Sequence, residues 1–154
     1  MPPPPPPPPP TPDKMGRFPA WYDAAEGRAE ALAAALQTGV PVDHADKDRM
    51  TMLSVAAFYG RTTAVRLLLE SGADSNLADR HGNGPLWHAT REASQQPRPE
   101  SAPFDQQIVA MLLAAGADPH HRNRADRTPP GWAAWSPELQ AIYRSAGYEG
   151  AFEL

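Results

Sequence analysis

The 154-residue sequence contains no cysteine, which excludes disulfide bonds, zinc sites built on thiolates and cysteine nucleophiles. It also has no apolar run near the roughly 18 residues that a membrane-spanning helix requires. The N-terminus lacks the basic and apolar segments of a secretion signal. These absences predict a cytoplasmic protein that makes no contact with a membrane.

Sequence signatures of catalysis are missing as well. There is no G-x-S-x-G elbow, Walker loop, H-E-x-x-H helix or dinucleotide-binding glycine fingerprint. His120 and His121 are adjacent and Asp118 is close by, but neighbouring residues of an extended chain point in different directions, and zinc needs three or four converging ligands. We therefore predict no catalytic residue, no metal site and no cofactor.

The net charge restricts the possible partners, and the length restricts the number of domains. The chain has 14 Lys and Arg against 18 Asp and Glu, a formal net charge of −4, which argues against nucleic acid as the partner. The length suits one domain and a tail. We expect the protein to be a monomer when it is not bound to a partner.

Proline is unevenly distributed. Of the 20 prolines, nine form the run 2–10 and another is Pro12. Such a run adopts only a stiff, solvated polyproline II helix, so residues 1–12 are predicted to be a disordered tail. The tail is either a ligand for a proline-binding module, which would make the protein an adaptor, or a passive extension, including sequence upstream of a true start at Met15. The run lacks a flanking basic residue that would orient it as a ligand, which favours the passive extension.

A repeat of 33 residues organises the remainder. Gly39 and Gly72 are 33 positions apart, and so are Asp46 and Asp79. From Gly72 to Gly116 the interval is 44, so the third repeat carries 11 extra residues. These are 94–104, SQQPRPESAPF, a polar and proline-rich stretch predicted to be a loop that either carries specificity or is a tolerated insertion. The predicted repeats are about 13–45, 46–78, 79–122 and 123–154.

The second repeat carries a family resemblance. Residues 46–60 read DKDRMTMLSVAAFYG and residues 65–76 read VRLLLESGADSN. They resemble the turn, the T-P-L-H-x-A motif and the V-x-x-L-L-x-x-G-A-D-x-N motif of ankyrin repeats. The resemblance implies an all-α ankyrin-repeat solenoid of four stacked helix-turn-helix repeats with β-turn finger loops. It also implies a non-catalytic protein-protein interaction module.

The sequence also resembles small bacterial ankyrin-repeat proteins, some of which are immunity proteins that neutralise a toxin. Inhibition of a cognate toxin is therefore an alternative role, beside that of an adaptor. Phe18 and Gly84 depart from the family pattern, since threonine is usual at their position.

The two ends of the solenoid show their own signals. Pro137 is predicted to open a helix with Ser136 as its N-cap. Phe152 and Leu154 are expected to fold back over the last repeat.

The resemblance places the binding surface on the concave side, made from the turns and the first helices. The residue that follows the turn Asp or Asn is Lys14, Lys47, Arg80 or Arg124, so the sequence predicts a basic stripe for an acidic protein partner. The alternative is a row of solvated basic tips. Aromatic and arginine side chains often anchor interfaces. The candidate partner-binding residues are Lys14, Lys47, Met50, Phe58, Tyr59, Arg80, His81, Arg91, Arg124, Arg127 and Trp135.

Several aromatic residues have a second interpretation. Phe58 and Tyr59 either anchor the partner or pack on a neighbouring helix. The tryptophans near the starts of the first helices, Trp21, Trp87 and Trp132, are predicted to be packing residues.

Overall fold

The computed structural model describes residues 1–6, 8, 10–95 and 102–153, with the backbone alone for 102–105. The regular structure of these residues is helical, which confirms the predicted all-α class. The elements are α1 Pro19–Glu26, α2 Ala29–Gln37, α3 Met52–Phe58, α4 Thr62–Glu70, α5 Pro85–Ser94, α6 Ala102–Ala114, the 3₁₀ helix η1 Pro129–Ala133 and α7 Pro137–Ser145.

The helices form two layers. The first helices of successive repeats contact one another in the order α1, α3, α5 and η1, and the second helices do so in the order α2, α4, α6 and α7. Small residues let the first helices approach closely, because Ala24, Ala56 and Ala89 are at most 1% exposed. Larger apolar residues such as Leu68 and Leu112 fill the core beside the second helices. No repeat buries its faces alone, so stability comes from stacking on neighbours.

The fourth repeat has a shortened first helix. This helix, η1, begins with Pro129, Pro130 and Gly131. Proline lacks the N–H that an α-helix needs beyond its first turn. The 3₁₀ helix ends at Ala133, so the candidate binding residue Trp135 does not lie on the first helix of this repeat, where a residue of the concave surface was expected. Trp135 follows the helix and is 88% exposed.

The C-terminal end closes over the last repeat as expected. Ser136 caps α7 by accepting the N–H of Leu139 at 3.2 Å, which confirms the predicted N-cap. Phe152 folds back, with its ring centroid 6.0 Å from that of Tyr143 and 5.4 Å from that of Tyr148. Leu154 lies outside the described residues.

A buried hydroxyl pair joins the last two repeats. Thr90 donates its hydroxyl to the Leu86 carbonyl at 2.7 Å, so the Tyr143 hydroxyl, 2.7 Å from Thr90 Oγ1, must donate to Thr90. Burial raises the pKa of Tyr143 above its ordinary value, so its hydroxyl keeps the proton it donates.

The insertion in the third repeat is less of a loop than predicted. The helix α5 continues through Ser94 and α6 begins at Ala102, so the loop prediction was wrong at both ends of 94–104. Residues 96–101 lie outside the described residues. The described residues of the tail, 1–6, 8 and 10–12, contain no helix or strand. In the described ranges, no helix is both long and apolar enough to cross a bilayer.

Candidate protein-binding site

Four finger turns, residues 13–17, 46–50, 79–83 and 123–127, share one geometry. Each opens with a side chain whose Oδ1 accepts the backbone N–H groups of the residues two and four positions later, at 2.9 and 3.0 Å. The opening residues are Asp13, Asp46, Asp79 and Asn123. These bonds satisfy N–H groups that no sheet or helix would pair, so each turn has a defined shape.

Backbone hydrogen bonds stack the turns into a row. In three of them the residue after the opening one donates its N–H to a carbonyl of the preceding turn. The donors Lys47, Arg80 and Arg124 bond to the carbonyls of Met15, Asp48 and His81 at 2.9, 2.9 and 3.1 Å. The basic residues at this position, beginning with Lys14, therefore follow one another along the solenoid.

Most basic side chains at the tips of the finger turns form no salt bridge with the described residues. Arg80 contacts Asp48 at 3.4 Å, but the two side chains are 60% and 44% exposed, so water screens the pair. Lys14, Lys47, Arg124 and Arg127 are exposed and form no salt bridge within the described part of the chain. The carboxylates that open turns two and three behave differently, since Asp46 and Asp79 are buried.

A groove of about 340 Å³ lies beside the second and third turns. It brings together five of the predicted residues, which are Met50, Phe58, Tyr59, Arg80 and His81. It also includes six residues that were not among the predicted binding residues, namely Arg17, Trp21, Asp48, Val55, Asp79 and His88.

The aromatic residues of the groove have different roles. Trp21 is 5% exposed and donates its indole N–H to the Met50 carbonyl at 2.9 Å, so it packs the repeats together as predicted. Phe58 is half-buried and lies edge-on to His88, with 5.9 Å between ring centroids, which agrees with the packing interpretation. Tyr59 is 48% exposed and is the more accessible of the two neighbouring rings.

A buried histidine–aspartate hydrogen bond forms one side of the groove. His88 Nε2 lies 3.0 Å from Asp79 Oδ2. Burial alone would raise the pKa of Asp79, but the hydrogen bonds from His88 and from the backbone N–H groups of Asn83 and His81 outweigh it and lower that pKa. His88 Nδ1 is buried and has no hydrogen-bond partner among the described residues.

Six of the predicted residues lie outside the groove lining, namely Lys14, Lys47, Arg91, Arg124, Arg127 and Trp135. The Arg91 guanidinium lies 5.6 Å from the Trp132 ring centroid, and Trp132 packs edge-on against Trp87 at 5.5 Å. In the described part of the chain, no three His, Asp or Glu side chains are grouped to hold a metal ion.

The candidate binding residues omit Arg17 and His88, both of which act through the turn carboxylates. Arg17 Nε contacts Asp46 Oδ2 at 3.0 Å. His88 lies nine positions after Asp79, and Tyr22 lies nine after Asp13, whose Oδ2 it bonds at 2.5 Å. That shared interval was the signal available in the sequence.

A stack of paired helices with a row of finger turns beside a groove defines a helical-repeat interaction domain. A family model described as ankyrin repeats (3 copies) matches residues 20–123, more than half of the chain. The chain belongs to the ankyrin-repeat family, whose repeats generally mediate protein-protein interaction and are generally non-catalytic.

Proteins similar to this chain come from organisms that are only distantly related to one another. A putative ankyrin repeat-containing protein of Treponema pallidum is 30% identical over 109 residues, 70% of this chain and 33% of that protein. Ankyrin repeat-containing protein P1E11.10 of Schizosaccharomyces pombe is 30% identical over 67 residues, 44% of this chain and 32% of that protein. Inversin of Gallus gallus is 34% identical over 82 residues, 53% of this chain and 7% of that protein. The chain thus spans a third or less of the length of these relatives.

Proposed function

We propose that this protein binds an acidic segment of a partner protein, and that the segment lies along the finger turns and the adjoining groove. The observation that carries the proposal is the hydrogen-bonded row of turns, which lines up exposed basic side chains on a chain of net charge −4. A basic surface on an acidic protein is local and therefore selective for partners of opposite charge.

Burial of two of the turn carboxylates also supports a positively charged surface along the finger turns. Asp46 and Asp79 are 7% and 8% exposed, and their outer oxygens are bonded to Arg17 and His88. Arg17 compensates the charge of Asp46, and hydrogen bonds inside the protein satisfy Asp79. The tips Lys14, Lys47 and Arg124 remain at the surface, so the row of turns presents an excess of positive charge.

The two parts of the surface contribute differently to binding. Exposed ion pairs each contribute about 0–1 kcal/mol and mainly accelerate association. Aromatic and apolar side chains that lose contact with water contribute more affinity, and Tyr59 and Met50 lie where such contacts would form. The tips therefore select and orient the partner, and the groove holds it.

The first experiment identifies a partner and measures its affinity. Proteins retained by the immobilised full chain from native lysate are identified by mass spectrometry, purified and titrated by calorimetry. We expect Lys47→Glu and Arg124→Glu each to weaken binding by about tenfold, or roughly 1.4 kcal/mol. Added salt should reduce the affinity of the wild-type protein more than that of either variant.

Arg66→Glu is the matched control. Arg66 is an exposed residue of α4 that forms no salt bridge within the described residues, and its reversal changes the net charge equally. The same affinity for all three variants would refute a role for the finger turns.

Two narrower roles remain predictions. If the protein neutralises a toxin, the purified partner loses its toxic activity on binding, and Arg124→Glu restores that activity. If the protein is an adaptor, deletion of residues 1–12 abolishes capture of a proline-binding module and leaves binding at the groove unchanged.

A further inference from the structure

One position of the repeat differs in kind between the second repeat and the others. The residue nine positions after the opening residue of each finger turn is Tyr22, Val55, His88 and Trp132 in successive repeats. Three repeats place a ring there, and the second places two methyl groups.

The rings of the first and third repeats bond the turn carboxylates. The Tyr22 hydroxyl donates to Asp13 Oδ2 at 2.5 Å, and His88 Nε2 lies 3.0 Å from Asp79 Oδ2. The Val55 side chain cannot donate a hydrogen bond. Asp46 is instead bonded by Arg17, which reaches it from the preceding turn at 3.0 Å.

The absence of a ring at Val55 coincides with the groove. Val55 is 1% exposed and lines the groove with Trp21, Met50, Phe58 and Tyr59. The groove volume of about 340 Å³ is near the lower end of the roughly 300–1,000 Å³ typical of ligand pockets, which suits one large side chain.

The surroundings of the groove favour a ring over an aliphatic chain. Trp21 packs edge-on against Tyr22 at 5.4 Å, and Phe58 packs edge-on against Tyr59 at 4.9 Å. Of these rings, Tyr59 lines the groove with 48% of its surface exposed, and an entering ring could pack on it edge to face, the geometry that aromatic pairs prefer.

Charge complementarity indicates what flanks the ring. The Arg17 guanidinium carbon lies 3.9 Å from the Trp21 ring centroid, and Arg80 lines the groove with an exposed side chain. Lys47 is exposed on the turn that contains Asp48 and Met50. Arg17 is already paired with Asp46, so carboxylates beside the entering ring would meet Lys47 and Arg80.

We propose that the groove is a socket for one aromatic side chain of the partner, carried on a segment whose neighbouring residues are acidic. The partner's ring packs in the groove beside Val55, where the second repeat lacks the ring that Tyr22, His88 and Trp132 provide in the others. This inference rests on the proposed function, since it names the feature of the partner that the groove recognises.

The test uses N-acetyl-tryptophanamide as the probe and N-acetyl-leucinamide as the aliphatic control, titrated into the full chain and followed by two-dimensional NMR. We expect saturable shifts of Met50, Val55 and Tyr59, with binding of the tryptophan probe at least about fivefold tighter than that of the leucine probe. Val55→Tyr restores the ring found in the other repeats and should abolish these shifts.

Tyr59→Ala keeps the test decisive if Val55→Tyr fails to fold, because Tyr59 is 48% exposed and its removal opens the groove without a buried cavity. It should weaken the probe by about fivefold. Leu77→Ala, which removes an exposed apolar side chain on the connection before the third turn, should leave binding unchanged.

Three results would overturn the socket: no saturable shift in the wild-type protein, equal affinity for both probes, or unchanged binding in Tyr59→Ala. None of these results affects the separate test of the proposed function, in which Lys47→Glu and Arg124→Glu weaken binding of the whole partner. Conversely, probe binding that depends on Tyr59, together with no effect of the charge reversals, would support the socket and reject the acidic segment.

Discussion

The four finger turns differ in how the outer atom of the opening side chain is bonded, and this side chain is exposed in Asp13 and buried in Asp46 and Asp79. The outer carboxylate oxygen is bonded by Tyr22 in the first turn, by Arg17 in the second and by His88 in the third. In the fourth turn Asn123 replaces the aspartate, and the buried Trp132 Nε1 at the equivalent position has no hydrogen-bond partner in the described part of the chain. Pairing is obligatory for a buried carboxylate, but its donor is free to vary.

His44 should make stability depend on pH. Its Nε2 accepts the Phe18 N–H at 3.1 Å, a bond that requires the neutral imidazole. Burial lowers the pKa of His44 below its ordinary 6.5, although the charge of Asp46 opposes this. As the pH falls through 6.5, the unfolded chain takes up the proton first, so the free energy of unfolding decreases towards the lower folded pKa and is unaffected by this group above 6.5.

Thermal unfolding between about pH 7.5 and about pH 5 tests this dependence. His44→Gln retains an acceptor for Phe18 and cannot titrate, so its melting temperature should fall less than that of the wild-type protein over this range. His120→Gln, which replaces an exposed histidine, should follow the wild-type curve. Parallel curves for the wild type and His44→Gln would show that His44 does not cause the pH dependence.

The helices differ in how their first turns are satisfied. Thr51 caps α3 by accepting the Ser54 N–H at 3.0 Å. Phe18 and Gly84, which stand at the same position before α1 and α5, make no side-chain cap. The departures seen in the sequence therefore remove hydrogen bonds without removing the helices, because tertiary packing provides most of the stability of a short helix.

Gly84→Thr should stabilise the protein. The backbone of Gly84, with φ −92 and ψ −179, is extended and open to any residue, and an added Cβ would lie 3.8 Å from the Leu77 carbonyl oxygen. A threonine hydroxyl there would accept the Trp87 N–H, as Thr51 does for Ser54. We expect a gain of about 0.5–1 kcal/mol in the free energy of unfolding, measured by urea denaturation. Gly84→Ala is the control, since it restricts the unfolded chain without adding a cap, and a gain equal to that of Gly84→Thr would rule out capping as the cause.

The ends of the solenoid determine how the whole stack unfolds. Among the described residues, the main helix contacts lie within a repeat or between neighbouring repeats, so the last repeat has one stacking face and depends on the segment that folds back over it. The Phe152 ring contacts Tyr143 and Tyr148, and the Arg144 guanidinium lies 4.7 Å from its centroid.

Phe152→Ala should therefore destabilise one end. We expect a loss of about 1–2 kcal/mol, less than the roughly 3–5 kcal/mol of a fully buried phenylalanine, because Phe152 is half-buried. Hydrogen exchange should accelerate in α7 and remain unchanged in α1, since coupling passes through three repeat interfaces. Glu149→Ala, at an exposed neighbouring position, should alter neither. Equal acceleration at both ends would mean that the stack unfolds as one unit.

The period of 33 residues predicted the class of fold and the register of the finger turns. Periodic spacing carries this information because equivalent residues of a solenoid occupy equivalent places. Local signals were also sufficient at the start of α7, where Ser136 and Pro137 specify a cap within four residues. They failed at Ser94 and Ala102, because a polar and proline-rich composition gives no signal of where the flanking helices end and begin.

The groove was decided by the tertiary structure. Arg17 and Asp46 are 29 residues apart, and their contact depends on how closely successive turns stack. Trp21 and Met50, also 29 apart, meet for the same reason. The alignment of Val55 with three ring-bearing positions could be read from the sequence, but the space beside it could not. That space depends on the distances between neighbouring repeats, which arise only when the apolar faces of all repeats are packed together.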